Sequence, residues 1–484
     1  MDVHQSERRP DSGSRLRGIA RHRWLPGAGA VLLLAAAGCG EPSPVPVPRL
    51  PQVPGVQPTD PPPAPELPRA LRAAEVEVIG AGNRFTFDLL REANRPGDNL
   101  FLSPFSASVA LGMTMNGAGG ETWNQLRHVL GFGGLAEDEI NAGYASLIQV
   151  LTELDPAVET AIGNSLWTRL GFPVRTDFVG VLREFFGAAA TELDFGSPSA
   201  SGRINEWVRS ATDGQIEDIV PPRIPPGVLM YLINAIYFKA PWTFEFDPDD
   251  TRTEPFYPDD RSPRTVPLMG IERDFPYLET SLFQAVDLPY GGGAFSMTVL
   301  VPRDGVGVDD VVASLDTAAW RDIAGGFEET EVELFLPRFR MEYERELKDD
   351  LAALGLVDAF SPGKADLTRL SPADGLWISS VLQKALVEVT EEGTEAAAAT
   401  VVVGVTSAPP PPVTVPGRPS LPLLHPGTPH GRDPLRRQAR PPAGRLAGDP
   451  AGAPPAHEGV RSQLRPSKIG GAEPSVALWA AVPV

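Results

Sequence analysis

The stretch VEVTEEGTEAAAATVVVGVTS, from Val387 to Ser407, constrains this chain more than any other. It opens with the β-branched pattern of a strand, passes through an acidic turn and four alanines, and ends in a Thr and Val segment with no helical face. Alanine is the best helix former, which makes a helix over Ala396 to Ala399 the plain alternative. Against it, Gly393 precedes the run and Val401 to Val403 follow it, both poor helical neighbours. The stretch therefore reads as a mobile loop able to become a strand.

The composition narrows function mainly by exclusion. At 484 residues and 42% hydrophobic content the chain can bury a large core. A formal net charge of -20 argues against nucleic acid as a partner, since phosphate recognition needs a clustered basic face. The single cysteine, Cys39, rules out an intrachain disulfide framework and a Cys-based zinc site. No metal site and no cofactor is expected. The histidines are His4, His22, His128, His425, His430 and His457, and only His128 falls in the region that looks folded. A Ser-His-Asp or Cys-His hydrolase would have to use it as the base. It sits in the polar, helix-like WNQLRHVLGF, so an ordinary surface or half-buried histidine is the better reading, and an enzyme is not expected.

The N-terminus reads as an export signal over residues 1–38. Arg15, Arg17, Arg21 and Arg23 precede an apolar run from Gly27 to Ala37, which is too short to span a bilayer. Leu34 to Cys39 (LAAAGC) resembles a bacterial lipobox, with Ala36 where leucine is commonest, so Cys39 is the expected lipidation site. The alternative is a secretory signal with an incidental cysteine. Residues 39–72 are so rich in proline that neither helix nor sheet can propagate, which suits an extended spacer. The expected location is extracellular or periplasmic, with any membrane attachment through the lipid alone.

Residues 73–414 carry the folded region. Helical spacing from Ala73 to Leu90 is stopped at Pro96, Gly97 and Asp98. A short buried strand is expected at Leu100 to Leu102, then an apolar helix to Gly117 and another from Glu121. Strand-like runs (Leu229 to Phe238, Phe295 to Leu300, Glu331 to Leu336) alternate with helical ones (Leu315 to Ile323, Leu347 to Leu354), the pattern of an α+β domain with large sheets. Trp123, Trp167, Trp207 and Trp242 read as core.

Within this region a series of motifs resembles the serpin family. Asn99, Ser103, Pro104, Ser106, Ala110, Leu111, Met113, Gly117, Ala118, Gly120 and Thr122 are similar to its N-terminal signature. Asn164 to Trp167, Ile204 to Val208, Thr212 to Ile216 and Asn234 to Lys239 with Trp242 follow in family order. Leu288 to Tyr290, Met297, Val301, Pro302 and Leu336 to Phe339 continue it. The likeness covers roughly residues 75–410. It implies helices around three β-sheets, an exposed reactive loop held out as bait, and a monomer that inhibits serine proteases by suicide trapping: the protease attacks the loop, forms an acyl-enzyme, and is distorted as the cleaved loop enters the central sheet. The competing expectation is a non-inhibitory or defective member that serves as a binding surface.

Insertion makes demands that the residues can meet or fail. Strand period puts Thr394, Ala396, Ala398 and Thr400 on one face, and Glu395, Ala397 and Ala399 on the other. The first set must enter a packed interior, and it contains neither charge nor proline. Glu391, Glu392 and Gly393 match the family hinge, with Gly393 expected to supply backbone freedom. Family spacing places the scissile bond at Ser407-Ala408, with Thr406 and Val405 as neighbouring candidates. All are small and uncharged, so the implied target is a protease with a small or shallow pocket, elastase-like or subtilisin-like.

The likeness stops after Thr414, and residues 415–484 are rich in Pro, Gly and Arg, unfit for central strands. Val415 to Pro426 can be encoded so that dropping one base spells FRADRPFLFFIR, which is very similar to the serpin ending. The reading is a one-base slip near Thr414 to Val415, with a genuine extension as the alternative.

Overall fold

The computed structural model describes residues 67, 69–256 and 263–406. The expected export signal over 1–38, Cys39, most of the expected spacer over 39–72, Ser407, Ala408 and the tail 415–484 lie outside the described residues. Helix α1 (Ala73–Ala93) buries Val78, Phe85 and Leu89 on one face and leaves Val76 exposed. Leu100 to Leu102 are buried but form no strand beyond a single bridge at Leu100, because Pro104 begins helix α2 (Pro104–Gly117) at once, with Ser103 at the N-cap position and no side-chain cap. Nearly every side chain of α2 is buried, which marks it as the central helix. Helices α3 (Gly120–Val129) and α4 (Glu137–Glu153) follow, with His128 exposed on α3.

The chain then runs through β1 (Glu159–Arg169), α5 (Thr176–Phe186), β2 (Ala189–Leu193), α6 (Ala200–Ala211) and β3 (Val228–Pro241). A block of strands comes next: β4 (Arg252–Phe256), β5 (Arg264–Glu279), β6 (Phe283–Tyr290) and β7 (Phe295–Pro302). Short helices α7 (Val308–Ser314) and α8 (Thr317–Gly325) lead to β8 (Glu328–Pro337), β9 (Phe339–Glu346), α9 (Lys348–Ala353), β10 (Leu376–Val389) and β11 (Gly393–Thr406). The expected strand at Phe295 and helix near Leu315 are both present, the helix starting later, since Asp316 caps α8 by accepting from the Ala318 and Ala319 amides.

Hydrogen bonding forms two sheets among the described residues. The larger has the order β2-β1-β3-β11-β10-β9. The second runs β4-β5-β6-β7, with β8 also on β5. The long β5 serves two groups of strands, pairing with β4 at one end and β6 at the other, so what could be two sheets is joined through it. Strand β3 shows why the larger sheet is central. Its sequence VLMYLINAIYFKAP is nearly continuous in apolar residues, and both its faces are buried, as a middle strand requires. One face meets α2, and the other is covered by α6 through Ile204 and Val208. Trp167 and Trp242 are fully inside, while Trp123 and Trp207 are half-buried against the core.

Candidate functional site

The loop expected to be held out is in the sheet. Gly393 to Thr406 form β11, which pairs antiparallel with β3 on one edge and β10 on the other. Thr394 lies opposite Val389 and Ala240, and Val405 opposite Trp377 and Val228. Every backbone edge group of the insert thus faces a neighbouring strand, and the gap between β3 and β10 is filled. The scissile-bond neighbours Val405 and Thr406 are the last residues of this strand, Val405 buried and Thr406 half-buried. A protease could not reach them there.

The faces divide as the period of two requires, but both are covered. Thr394, Ala396, Ala398 and Thr400 are buried as expected. Ala397, Ala399, Val401, Val403 and Val405 are buried too, under Ile204, Val208 and Ile216 beside α6. On this second face only Glu395 stays half-buried, where its carboxylate accepts from Gln215 Nε2 at 2.5 Å and Tyr237 Oη at 3.1 Å. The second face is not legible as interior in the sequence, because nothing in a local pattern says that a helix far earlier in the chain will lie across it.

Gly393 also plays a different part from the one its residue type suggests. A Cβ there would stand 2.2 Å from Ala240 O and 2.8 Å from Pro241 Cα. The position needs glycine because the β3 backbone is too close for any side chain, and its φ is not in the left-handed region.

Around this hinge the contacts are specific. The Trp242 amide donates to Glu392 O at 2.9 Å, the Phe246 amide to Glu391 O at 3.0 Å, and Trp242 Nε1 to Thr390 O at 2.9 Å. Trp242 stacks on Tyr290 with centroids 4.5 Å apart, and Tyr290 Oη shares a 2.6 Å hydrogen bond with Thr394 Oγ1. Burial pushes the Tyr290 phenol well above its ordinary value, so it remains a neutral partner to Thr394. Glu391 accepts from Thr251 Oγ1 at 2.8 Å and pairs with Arg338 at 3.4 Å.

Burial works to raise the Glu391 carboxyl, but its own amide, the Thr251 hydroxyl and the Arg338 guanidinium outweigh it and hold the group below its ordinary 4.5. A carboxylate lowered in the folded state contributes stability that is complete above the unfolded value and is lost as pH falls through the folded one. The inserted form should therefore lose stability below about pH 4.5, and Glu391→Gln should flatten that part of the pH profile in thermal melts. Arg338 is half-exposed, so solvent screening keeps the effect modest.

Deeper in the sheet Thr400 closes a chain of hydrogen bonds that runs one way. Gln383 Nε2 donates to Thr400 Oγ1 at 2.9 Å, and Ser106 Oγ donates to Asn234 Oδ1 at 2.5 Å. The 3.0 Å contact between Thr400 and Ser106 must then carry the Thr400 proton. Asn234 Nδ2 continues to Asn164 Oδ1 at 2.9 Å, and Asn164 Nδ2 to Phe186 O at 2.8 Å. All five side chains are buried. Thr400→Val keeps the shape but breaks the chain, leaving buried donors and acceptors without a partner; unfolding in urea should show a loss of about 1 to 3 kcal/mol, and Thr400→Ser should restore most of it. Sequence reasoning missed this set. Its one signal in the sequence is Asn234, a lone amide in the apolar run of β3; Gln383 sits among Ser379, Ser380 and Lys384 in β10 and does not stand out.

A mixed α+β domain that takes a segment of its own chain into its main sheet as a full strand defines a recognisable class. The family model for the serpins, serine protease inhibitors, matches residues 80–419, and the chain belongs to the serpin family. A serpin-like protein of Thermococcus kodakarensis is 36% identical over 331 residues, 67% of this chain and 75% of that one. Human neuroserpin is 33% identical over 311 residues, covering 62% and 76%. Among solved structures, the thermophilic serpin tengpin in its latent state superposes with a TM-score of 0.64 at 29% identity, over 69% of this chain and 90% of that one. Reactive-loop-cleaved human thyroxine-binding globulin does so with 0.65 at 27%, over 69% and 100%. Serpins as a family are in general non-enzymatic, extracellular inhibitors of serine proteases.

Proposed function

We propose that this protein inhibits a serine protease by suicide trapping, with Ser407-Ala408 as the bond offered and insertion of Gly393 to Thr406 as the step that disables the enzyme. The observation that carries this reading is the fit of β11: its backbone pairs on both edges, and small uncharged side chains from Thr394 to Thr400, Glu395 apart, fill both covered faces. Small side chains can enter a packed interior without the overpacking cost of about 1 to 3 kcal/mol per poor fit. Small residues at Val405, Thr406, Ser407 and Ala408 favour an elastase-like or subtilisin-like target. The test is incubation with such proteases. An SDS-resistant complex is expected, and cleavage of the loop without a complex overturns the reading.

A second reading has its own support. The strand is seated in an unbroken chain, so the bait is not on display in this state, as a non-inhibitory surface protein of the same fold would allow. The same incubation separates the two.

Export and attachment belong to this proposal as well. Cys39 after a short apolar run supports a lipid-anchored protein outside the cytoplasm, held off the membrane by the Pro-rich spacer; mass spectrometry of the mature N-terminus tests it. The slip near Thr414 to Val415 rests on the sequence beyond Thr414, which is rich in Pro, Gly and Arg, while the family match runs on to residue 419. Resequencing the DNA decides it, since codons unable to yield FRADRPFLFFIR one base out of frame overturn it.

A further inference from the structure

Helices α1 and α4 and the sheet beside them enclose a cavity of about 100 Å³, and no residue of β11 lines it. Its walls are mostly apolar: Ile79 of α1, Leu147 and Leu151 of α4, Ile162 of β1, Phe238 of β3 and Phe295 of β7. Leu151, Phe238 and Phe295 are buried, whereas Leu147 and Ile162 are half-buried, which gives a way in from solvent. Protein interiors are close-packed, with few voids larger than a water molecule. An apolar cavity of about 150 Å³ can hold benzene, so the space here suits a single ring or a short aliphatic chain.

Two residues in the wall are costly unless the space is used. Gly82 lies in the interior of α1, where glycine weakens a helix relative to alanine. It lines the cavity, and a Cβ added there would meet nothing within 4 Å. Neither crowding nor a left-handed φ demands glycine at this place, and what the missing side chain leaves is room. Thr160 of β1 is the second. The other wall hydroxyls of Thr86 and Ser108 are engaged, by Gly82 O at 2.8 Å and Tyr144 Oη at 2.7 Å. Thr160 Oγ1 is buried and has no partner among the described residues, and a buried hydroxyl left in that condition lowers stability. A turn about χ1 exchanges its Oγ1 with its Cγ2 inside the same volume.

We propose that this cavity is a binding site for a small neutral molecule, one ring or short chain with a single polar head, the apolar part seated among Leu151, Ile162, Phe238 and Phe295 and the head hydrogen-bonded to Thr160 Oγ1. Each part of that description answers to a wall. The volume sets the size, and concave apolar walls with a few polar groups are the usual make-up of a small-molecule site. No charged side chain is among the lining residues, so an ionised head would leave water without a counter-charge, which excludes it. The hydroxyl of Thr160 selects a head that can donate or accept one hydrogen bond. Ile236 and Phe238, which line the cavity, stand opposite Ala398 and Ala396 in the sheet, so the molecule binds beneath the inserted strand. Nothing in this site depends on whether the loop traps a protease.

The test is calorimetric titration of the full chain with phenol, and with benzoate as the charged counterpart. One phenol per chain should bind saturably, about tenfold or more tighter than benzoate. Gly82→Leu puts a better helix former in α1 and fills the space from that side, and should weaken phenol about tenfold or more. Thr160→Val keeps the shape and removes the partner of the head, so phenol should weaken about tenfold. Without phenol the same variant should melt no lower than the unaltered protein, because the hydroxyl it loses leaves no partner behind. A purely structural Thr160 would give the reverse, a lower melting temperature with phenol binding unmoved, and that result overturns the proposal. Absence of saturable phenol binding, equal binding of benzoate, or affinity unchanged by a folded Gly82→Leu overturns it too. Crystals of the unaltered protein soaked in 4-bromophenol keep the question open to an answer if Gly82→Leu does not fold: bromine between α1 and α4 beside Thr160 supports the site, and bromine elsewhere overturns it. Bromine in the crystal with no saturable binding in solution is binding at crystal concentration only, and counts against the proposal.

Discussion

If the proposed trapping mechanism holds, Ala398→Arg should turn the protein from an inhibitor into a substrate. Ala398 is buried between Ala385 of β10 and Ile236 of β3, on the face that joins the core cluster containing Phe238 and Phe295. An arginine entering there would carry an unpaired charge into an apolar interior, at an effective cost of several kcal/mol after relaxation. Insertion competes with deacylation, so a penalty of that size on one step gives the protease time to escape. Loop cleavage should proceed at an unchanged rate while the SDS-resistant complex disappears. The neighbouring Glu395→Arg is a useful contrast, since that side chain is only half-buried: it shares Tyr237 Oη with Asp213, loses its pairing with the exposed Lys239, and could keep contact with solvent. It should reduce the complex far less. An Ala398→Arg variant that still forms complex at wild-type stoichiometry would show that the mechanism does not require full burial of this face.

Gly393→Val should act on the first step of insertion. The added Cβ would meet Ala240 O at 2.2 Å and Pro241 Cα at 2.8 Å, both backbone atoms, which cannot swing aside as a side chain can. Either β11 shifts away from β3 at its start, losing the Gly393 to Pro241 pairing, or β3 moves, and β3 is held by β1 along most of its length. Distortion of this kind costs about 1 to 3 kcal/mol or more. The measurable result is a lower melting temperature for the inserted form and more moles of inhibitor consumed per mole of protease trapped. Gly393→Ala should show the same clash with a smaller side chain and no added β-branching, so it should fall between wild type and valine. Unchanged melting in both variants would mean that the hinge closes by a different path.

Much of the candidate site is legible in the sequence. The strand period places Thr394, Ala396, Ala398 and Thr400 on one buried face, and β11 has that face buried. Strands at Val228–Pro241 and Glu328–Pro337 and helices at Ala73–Ala93 and Pro104–Gly117 follow from apolar spacing and from Pro and Gly at their ends. Less visible is everything that depends on two distant segments meeting. Thr400 and Ser106 are 294 residues apart, and only the stacking of α2 under the sheet makes them hydrogen-bond partners. The clearance at Gly393 is set by β3, and the burial of Ala397 and Ala399 by α6, neither of which leaves a trace in the loop's own residues. The exposed bait expected from the family likeness is, in this structure, a central strand, because the large sheet offers two unsatisfied edges that the loop can pair with.

The sequence by itself determined what the chain could do locally: a segment whose inward positions Thr394, Ala396, Ala398 and Thr400 are small and uncharged, a folded region with His128 as its single histidine, and a tail beyond Thr414 unsuited to strands. Those are properties of side chains, and they hold wherever the segment goes. Tertiary structure alone decided that the segment is in the sheet and that both its faces are covered. Each of these is a matter of which surfaces face one another, and burial is a property of the pair of surfaces, carried by neither strand alone.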